Sequence, residues 1–113
     1  MNIINKTSAE HYNWGKNCDG WHLLKNNHLS VIREMVPPGS SEVSHYHESS
    51  RQLFFILEGE ATLEISGESY VLYKNDALEI PPLTVHKLSN KSGRDLEFLV
   101  ISQPPSHGDR ITV

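Results

Sequence analysis

The 113 residues suit one domain of ordinary size, and a chain of this length buries roughly 65% of the surface it would expose unfolded. Hydrophobic residues at 37% and charged residues at 21% exclude a disordered chain. A net charge of -4 without any Lys/Arg cluster argues against nucleic acid or an anionic membrane surface as a partner.

Residues 1–20 are polar, with Trp14 and Trp21 as apolar anchors, and read as an irregular arm whose tryptophans pack on the body. The start of the chain has no apolar h-region, and nowhere do 18 apolar residues run together. The expectation is a cytoplasmic protein that neither enters a secretory route nor spans a membrane. The single cysteine, Cys18, excludes an internal disulfide and reads as a small, partly buried residue. From Trp21 to Leu24 and from His28 to Val36, β-prone runs flank an Asn26-Asn27 turn. In the second run Leu29, Val31, Arg33 and Met35 share one face, and Ser30, Ile32, Glu34 and Val36 share the other.

Pro37-Pro38-Gly39 ends that strand, and further strands follow at 43–47 and 52–58. Runs 61–66 and 69–73 are separated by Gly67-Glu68, a two-residue hairpin signal. Lys74-Asn75-Asp76 turns the chain, Ala77–Ile80 is a short strand, and Pro81-Pro82 a break. Strands at 85–89 and 95–102 complete the series. Short strands with frequent turns predict an all-β sandwich or barrel spanning 21–103. The tail 104–113 reads as a solvated end, with folding over the barrel mouth as the alternative.

His45 and His47 lie two apart in an alternating stretch, so both imidazoles face one space, as two ligands of one metal require. Gln52 follows at the head of the next strand, and His86 stands behind the Pro-Pro break. His11, His22, His28 and His107 match no ligand spacing. Alternation from Gln52 sends Phe54 and Ile56 to the same interior, and these two with Met35 are the predicted ligand pocket. Arg33 and Arg51 are candidates for holding an anionic group; Tyr46, Glu79 and Glu34 are acid/base candidates.

Gly39, His45, His47, Gln52 and Gly59, at intervals of five, one, four and six residues, resemble the first motif of the cupins. Asn75, Pro81, Leu83, His86 and Asn90 resemble the second, with Asn75 and Leu83 where that family usually has glycine. The resemblance implies an antiparallel double-stranded β-helix, a jelly-roll barrel, with the metal ligands His45, His47, Gln52 and His86. It implies one divalent transition metal (Zn, Ni, Fe or Mn), a small organic ligand, and pairing as a homodimer. An enzyme of isomerase or dioxygenase type is the expected function, with a non-catalytic binding or sensor module as the alternative. No helix-turn-helix accompanies the barrel, which argues against a DNA-binding regulator. Where the family usually has glutamate this chain has Gln52, which leaves a bound divalent ion its full charge.

Overall fold

A computed structural model describes all 113 residues, which form eleven β-strands joined by turns and loops. They are β1 Glu10–Trp14, β2 Cys18–Lys25, β3 Ser30–Val36, β4 His45–Tyr46, β5 Arg51–Glu58 and β6 Ala61–Ile65. Then come β7 Glu68–Leu72, β8 Ala77–Ile80, β9 His86–Ser89, β10 Leu96–Gln103 and β11 Ile111–Thr112. All pairings are antiparallel, in two facing sheets of order β1-β2-β3-β10-β5-β8 and β11-β4-β9-β6-β7. This is the jelly-roll barrel, and no helix is long and apolar enough to cross a membrane.

Alternation explains the layering. In β5 the even-numbered Gln52, Phe54 and Ile56 are buried; in β10 Leu96, Phe98, Val100 and Ser102 are. The β5–β10 register sets Ile56 beside Phe98, Phe54 beside Val100 and Gln52 beside Ser102. The barrel interior is therefore graded along its axis. Its apolar end holds Val36, Ile56, Leu63, Leu96 and Phe98, each worth about 1.5–3 kcal/mol when fully buried. Its other end is lined by the polar atoms of Gln52 and Ser102, which brings the candidate site to that mouth.

The turns show why certain motif positions are demanding. The β6–β7 hairpin turns on Ser66-Gly67, both at positive φ (49° and 88°), one residue earlier than the expected Gly67-Glu68 pair. Asn75 and Leu83, standing where the family usually has glycine, both have positive φ (73° and 66°). Asparagine tolerates this conformation, whereas a leucine held there is strained. The Leu83 amide donates to the His47 carbonyl at 2.7 Å, so the strained residue is tied to the site.

Four expectations change. Segment 1–20 is more ordered than an irregular arm, since β1 pairs along its length with β2 and Trp14 packs against the core. The strand carries a weak sequence signal, because only Tyr12 and Trp14 mark an inward face among polar neighbours. The tail is not a solvated end: β11 pairs with β4, and Val113 N–H donates to Ser44 O at 3.0 Å. The strand expected at 43–47 is correspondingly short, only His45–Tyr46. Cys18, expected to be partly buried, is fully enclosed, and burial pushes its thiol pKa up.

Candidate metal centre

His45 comes from β4, His47 from the residue just after it, and His86 from the start of β9. The β4–β9 register places His45 directly opposite His86. All three are buried, each offering one ring atom, and these atoms lie within 4.8 Å of one another. Gln52 is buried at the head of β5 and lines the same cavity as His45 and His47.

The outer partners settle which atoms face inward. Each Nδ1 lies against a backbone carbonyl: His45 on Val43 O at 2.6 Å, His47 on Asp109 O at 2.6 Å, His86 on Thr84 O at 2.8 Å. A carbonyl only accepts, so each Nδ1 carries the proton and each Nε2 presents a lone pair. Gln52 Nε2 donates to Ser102 Oγ at 3.0 Å, which turns the amide oxygen the other way. His47 Nε2, His86 Nε2 and Gln52 Oε1 are then buried acceptors with no donor. Gathering bare lone pairs out of water is costly unless a cation receives them. The donor set of three imidazoles and one amide oxygen fits a divalent transition metal, and the carbonyl contacts are the outer-shell bonds such ligands need.

Burial also keeps His45 and His86 ready. It holds the His45 pKa down at about 3, against the opposing pull of the Val43 carbonyl. It lowers His86 likewise, against the Thr84 carbonyl. Gln52→Glu is expected to tighten divalent-metal binding about tenfold by adding a charged oxygen, with the Ser102 hydroxyl turning to donate to it. Competition titration with a chromophoric chelator checks this, and unchanged or weaker affinity would contradict it.

Beside the ligands opens a cavity of about 290 Å³. Tyr12, Trp14, Ile32, Phe54 and Val100 form its apolar and aromatic wall; Glu34, Glu42, His107 and Arg110 supply polar side chains. Tyr12 donates to Glu34 Oε2 at 3.1 Å, and Leu88 N–H donates to Glu42 Oε1 at 2.9 Å. Burial first, then the neighbouring Glu42 charge, pushes the Glu34 carboxyl up to about 8. Burial raises Glu42 to about 7, opposed by the Leu88 bond and by Arg110. Burial and Glu34 together keep Tyr12 a neutral phenol.

Among the predicted pocket residues, Phe54 lines this cavity. Ile56 lies one step deeper in the sealed core, and Met35 belongs to the opposite face of β3 from cavity-lining Ile32 and Glu34. Arg51 and Glu79 form an exposed pair at 3.4 Å, and Arg33 is bound to Glu97 at 3.0 Å. Tyr46 is half-buried opposite Ile111. None of these four lines the cavity. Of the acid/base candidates the cavity takes in Glu34 alone, on the Ser30/Ile32/Glu34/Val36 face of β3. It also uses Tyr12, Glu42 and Arg110, for which no local pattern exists. Asn90, a motif residue, is fully buried but structural: its amide donates to Val36 O and Arg94 O and accepts from Ser92.

Comparison with known proteins agrees with this geometry. Residues 32–102 match the cupin-domain family Cupin_2. The uncharacterized protein MJ1618 of Methanocaldococcus jannaschii is 35% identical over 89 residues, 78% of this chain and 71% of that one. Quercetin 2,3-dioxygenase of Bacillus subtilis is 35% identical over 71 residues, 63% of this chain but only 19% of that enzyme. The crystal structure of a predicted oxalate decarboxylase from Thermotoga maritima superposes with a TM-score of 0.80 at 25% identity, covering 92% of this chain and 100% of that one. With both motifs in place, the barrel formed and the family match spanning most of it, the chain belongs to the cupin family.

Proposed function

We propose that the protein is a metal-dependent enzyme that moves a proton on a small carbonyl-bearing substrate, an isomerase-type activity. One observation carries the reading. A cavity of about 290 Å³ is lined both by three of the four candidate ligands, His45, His47 and Gln52, and by an acid, Glu34, whose pKa of about 8 lies close to neutrality. A divalent ion held by His45, His47, Gln52 and His86 would polarise a substrate carbonyl as a Lewis acid. Glu34 keeps its proton at pH 7 and can exchange it, and a general acid or base works best near its own pKa. The Tyr12 hydroxyl orients that carboxyl by donating to Oε2. Trp14, Phe54 and Val100 supply an apolar wall that excludes water, and Arg110 stands at the rim for an anionic group on the substrate.

Resemblance to part of a dioxygenase supports a second reading, oxygen chemistry at the same ligands. The test reconstitutes the protein with Zn2+, Ni2+, Mn2+ or Fe2+ and incubates it in D2O with short α-hydroxy-ketones and aldoses. NMR follows α-hydrogen exchange while an electrode follows dissolved oxygen. Metal-dependent exchange without oxygen uptake is expected; oxygen uptake would select the second reading. Binding with neither would make the protein a ligand carrier.

A further inference from the structure

The three histidines are not held alike. His45 and His86 are each oriented by a carbonyl two residues upstream, Val43 and Thr84, on their own strand approach. His47 is oriented by the carbonyl of Asp109, from the far end of the chain. The Asp109 side chain completes the contact. Its Oδ1 accepts the Glu48 amide at 2.9 Å, and its Oδ2 accepts the Ser49 and Ser50 amides at 3.0 and 2.9 Å. One residue thus grips the loop after His47 by three N–H groups and the ring itself by a fourth bond. The rest of the segment is fastened alongside. Ser50 Oγ donates to Pro104 O at 2.7 Å, Arg110 donates to Val43 O at 3.3 Å, and β11 pairs with β4, Thr112 opposite His45. The same segment walls the cavity with Ser106, His107, Gly108 and Arg110.

We propose that residues 104–113 form a strap in which Asp109 is a positioning residue for the metal ligand His47, so that metal binding and closure of the strap over the cavity are coupled. The inference rests on the metal-binding reading of the three histidines and one glutamine. Coupling of this kind is reciprocal: whatever factor strap docking contributes to metal affinity, the metal returns to strap docking. A loosened strap leaves the His47 ring free to rotate away from its fellow ligands. The metal, by fixing the ring, holds the Asp109 carbonyl and with it the strap.

The experiment measures Zn2+ dissociation constants by competition titration for the wild type, Asp109→Ala and Asp109→Asn. It adds the visible absorption of the Co2+ forms and amide hydrogen exchange of the wild type with and without Zn2+. Asp109→Ala is expected to weaken Zn2+ binding about 10- to 100-fold, the usual range for an outer-shell partner of a ligand. Its Co2+ absorption should change in shape as the ligand geometry changes. Asp109→Asn, which keeps one side-chain acceptor, should recover part of the affinity. In the wild type, Zn2+ should slow exchange at Glu48, Ser49, Ser50 and Val113. Wild-type Zn2+ affinity and Co2+ absorption in Asp109→Ala would overturn the coupling. If that variant fails to fold, exchange at those four amides that ignores Zn2+ overturns it by itself. A wild type that binds no Zn2+ or Co2+ would overturn the metal reading itself, and the coupling with it.

Discussion

His45→Ala is expected to abolish divalent-metal binding and leave the barrel folded. The imidazole is one of three whose ring atoms lie within 4.8 Å of one another, and it stands directly opposite His86 in the β4–β9 pairing. Its loss should exceed the 10- to 100-fold penalty typical of an outer-shell change. Folding has a separate source. The twelve-residue apolar cluster does not include the ligands, and of its members only Phe54 and Val100 line the cavity. Removing a buried imidazole held at a pKa of about 3 also removes a group that resists protonation in the fold. Thermal unfolding shows both halves. Saturating Zn2+, at about a thousand times the dissociation constant, should stabilise the wild type by roughly 4 kcal/mol, read as a rise in Tm. The variant should keep its β-sheet circular dichroism and show no Zn2+-dependent rise. Wild-type metal response in the variant, or loss of its β structure, would refute the assignment.

Glu34→Gln should change how stability depends on pH. In the folded protein the Glu34 carboxyl is pushed up to about 8 from its ordinary 4.5, so the folded state holds a proton that the unfolded chain has released. The fold therefore binds more protons than the unfolded chain across that window, and stability falls as pH rises through it. The contribution is fully present below 4.5 and is lost as pH passes 8. Glu42, raised to about 7, acts in the same direction over a narrower range. His45 and His86, with lowered pKa, work oppositely, but their effect is complete above the free imidazole value of 6.5. Between pH 6.5 and 9 the carboxyls therefore dominate. The wild type should lose about 1–2 kcal/mol to Glu34 over that interval, solvent screening part of the cost at a half-buried group. Glutamine keeps an acceptor for the Tyr12 hydroxyl without the charge, so Glu34→Gln should be flatter with pH and more stable at pH 9. Urea unfolding at several pH values measures the two slopes. Parallel curves would show that Glu34 ionises as it does in solvent.

Much of the centre was legible in local periodicity. Two-residue spacing is a property of any extended strand, so His45 and His47 had to share a face, and Gln52 had to share one with Phe54. Motif spacing carried the rest of the ligand set, since turns of fixed length bring His86 back to the same mouth. Even the departures at Asn75 and Leu83 mark a demand of the backbone, because both residues adopt the positive φ that glycine would accept without strain.

Periodicity could not assign depth or long-range pairing. Phe54 and Ile56 share a face, yet only the β5–β10 register decides that one lines the cavity and the other is sealed beneath it. Met35 and Glu34 are neighbours on β3, and packing of the second sheet chose the face that carries Glu34. Tyr12 reaches the site because Gly20, its β1–β2 partner, leaves room for the ring: a Cβ there would lie 2.2 Å from Tyr12 Cζ. Asp109 meets His47 across 62 residues, a contact no local pattern encodes. The residue types, strand period and motif spacing of this sequence determined a metal-ready β-barrel. Which carboxyls face the ligands, and what holds His47, were decided only by the tertiary structure, because register and chain closure are properties of the assembled sheets.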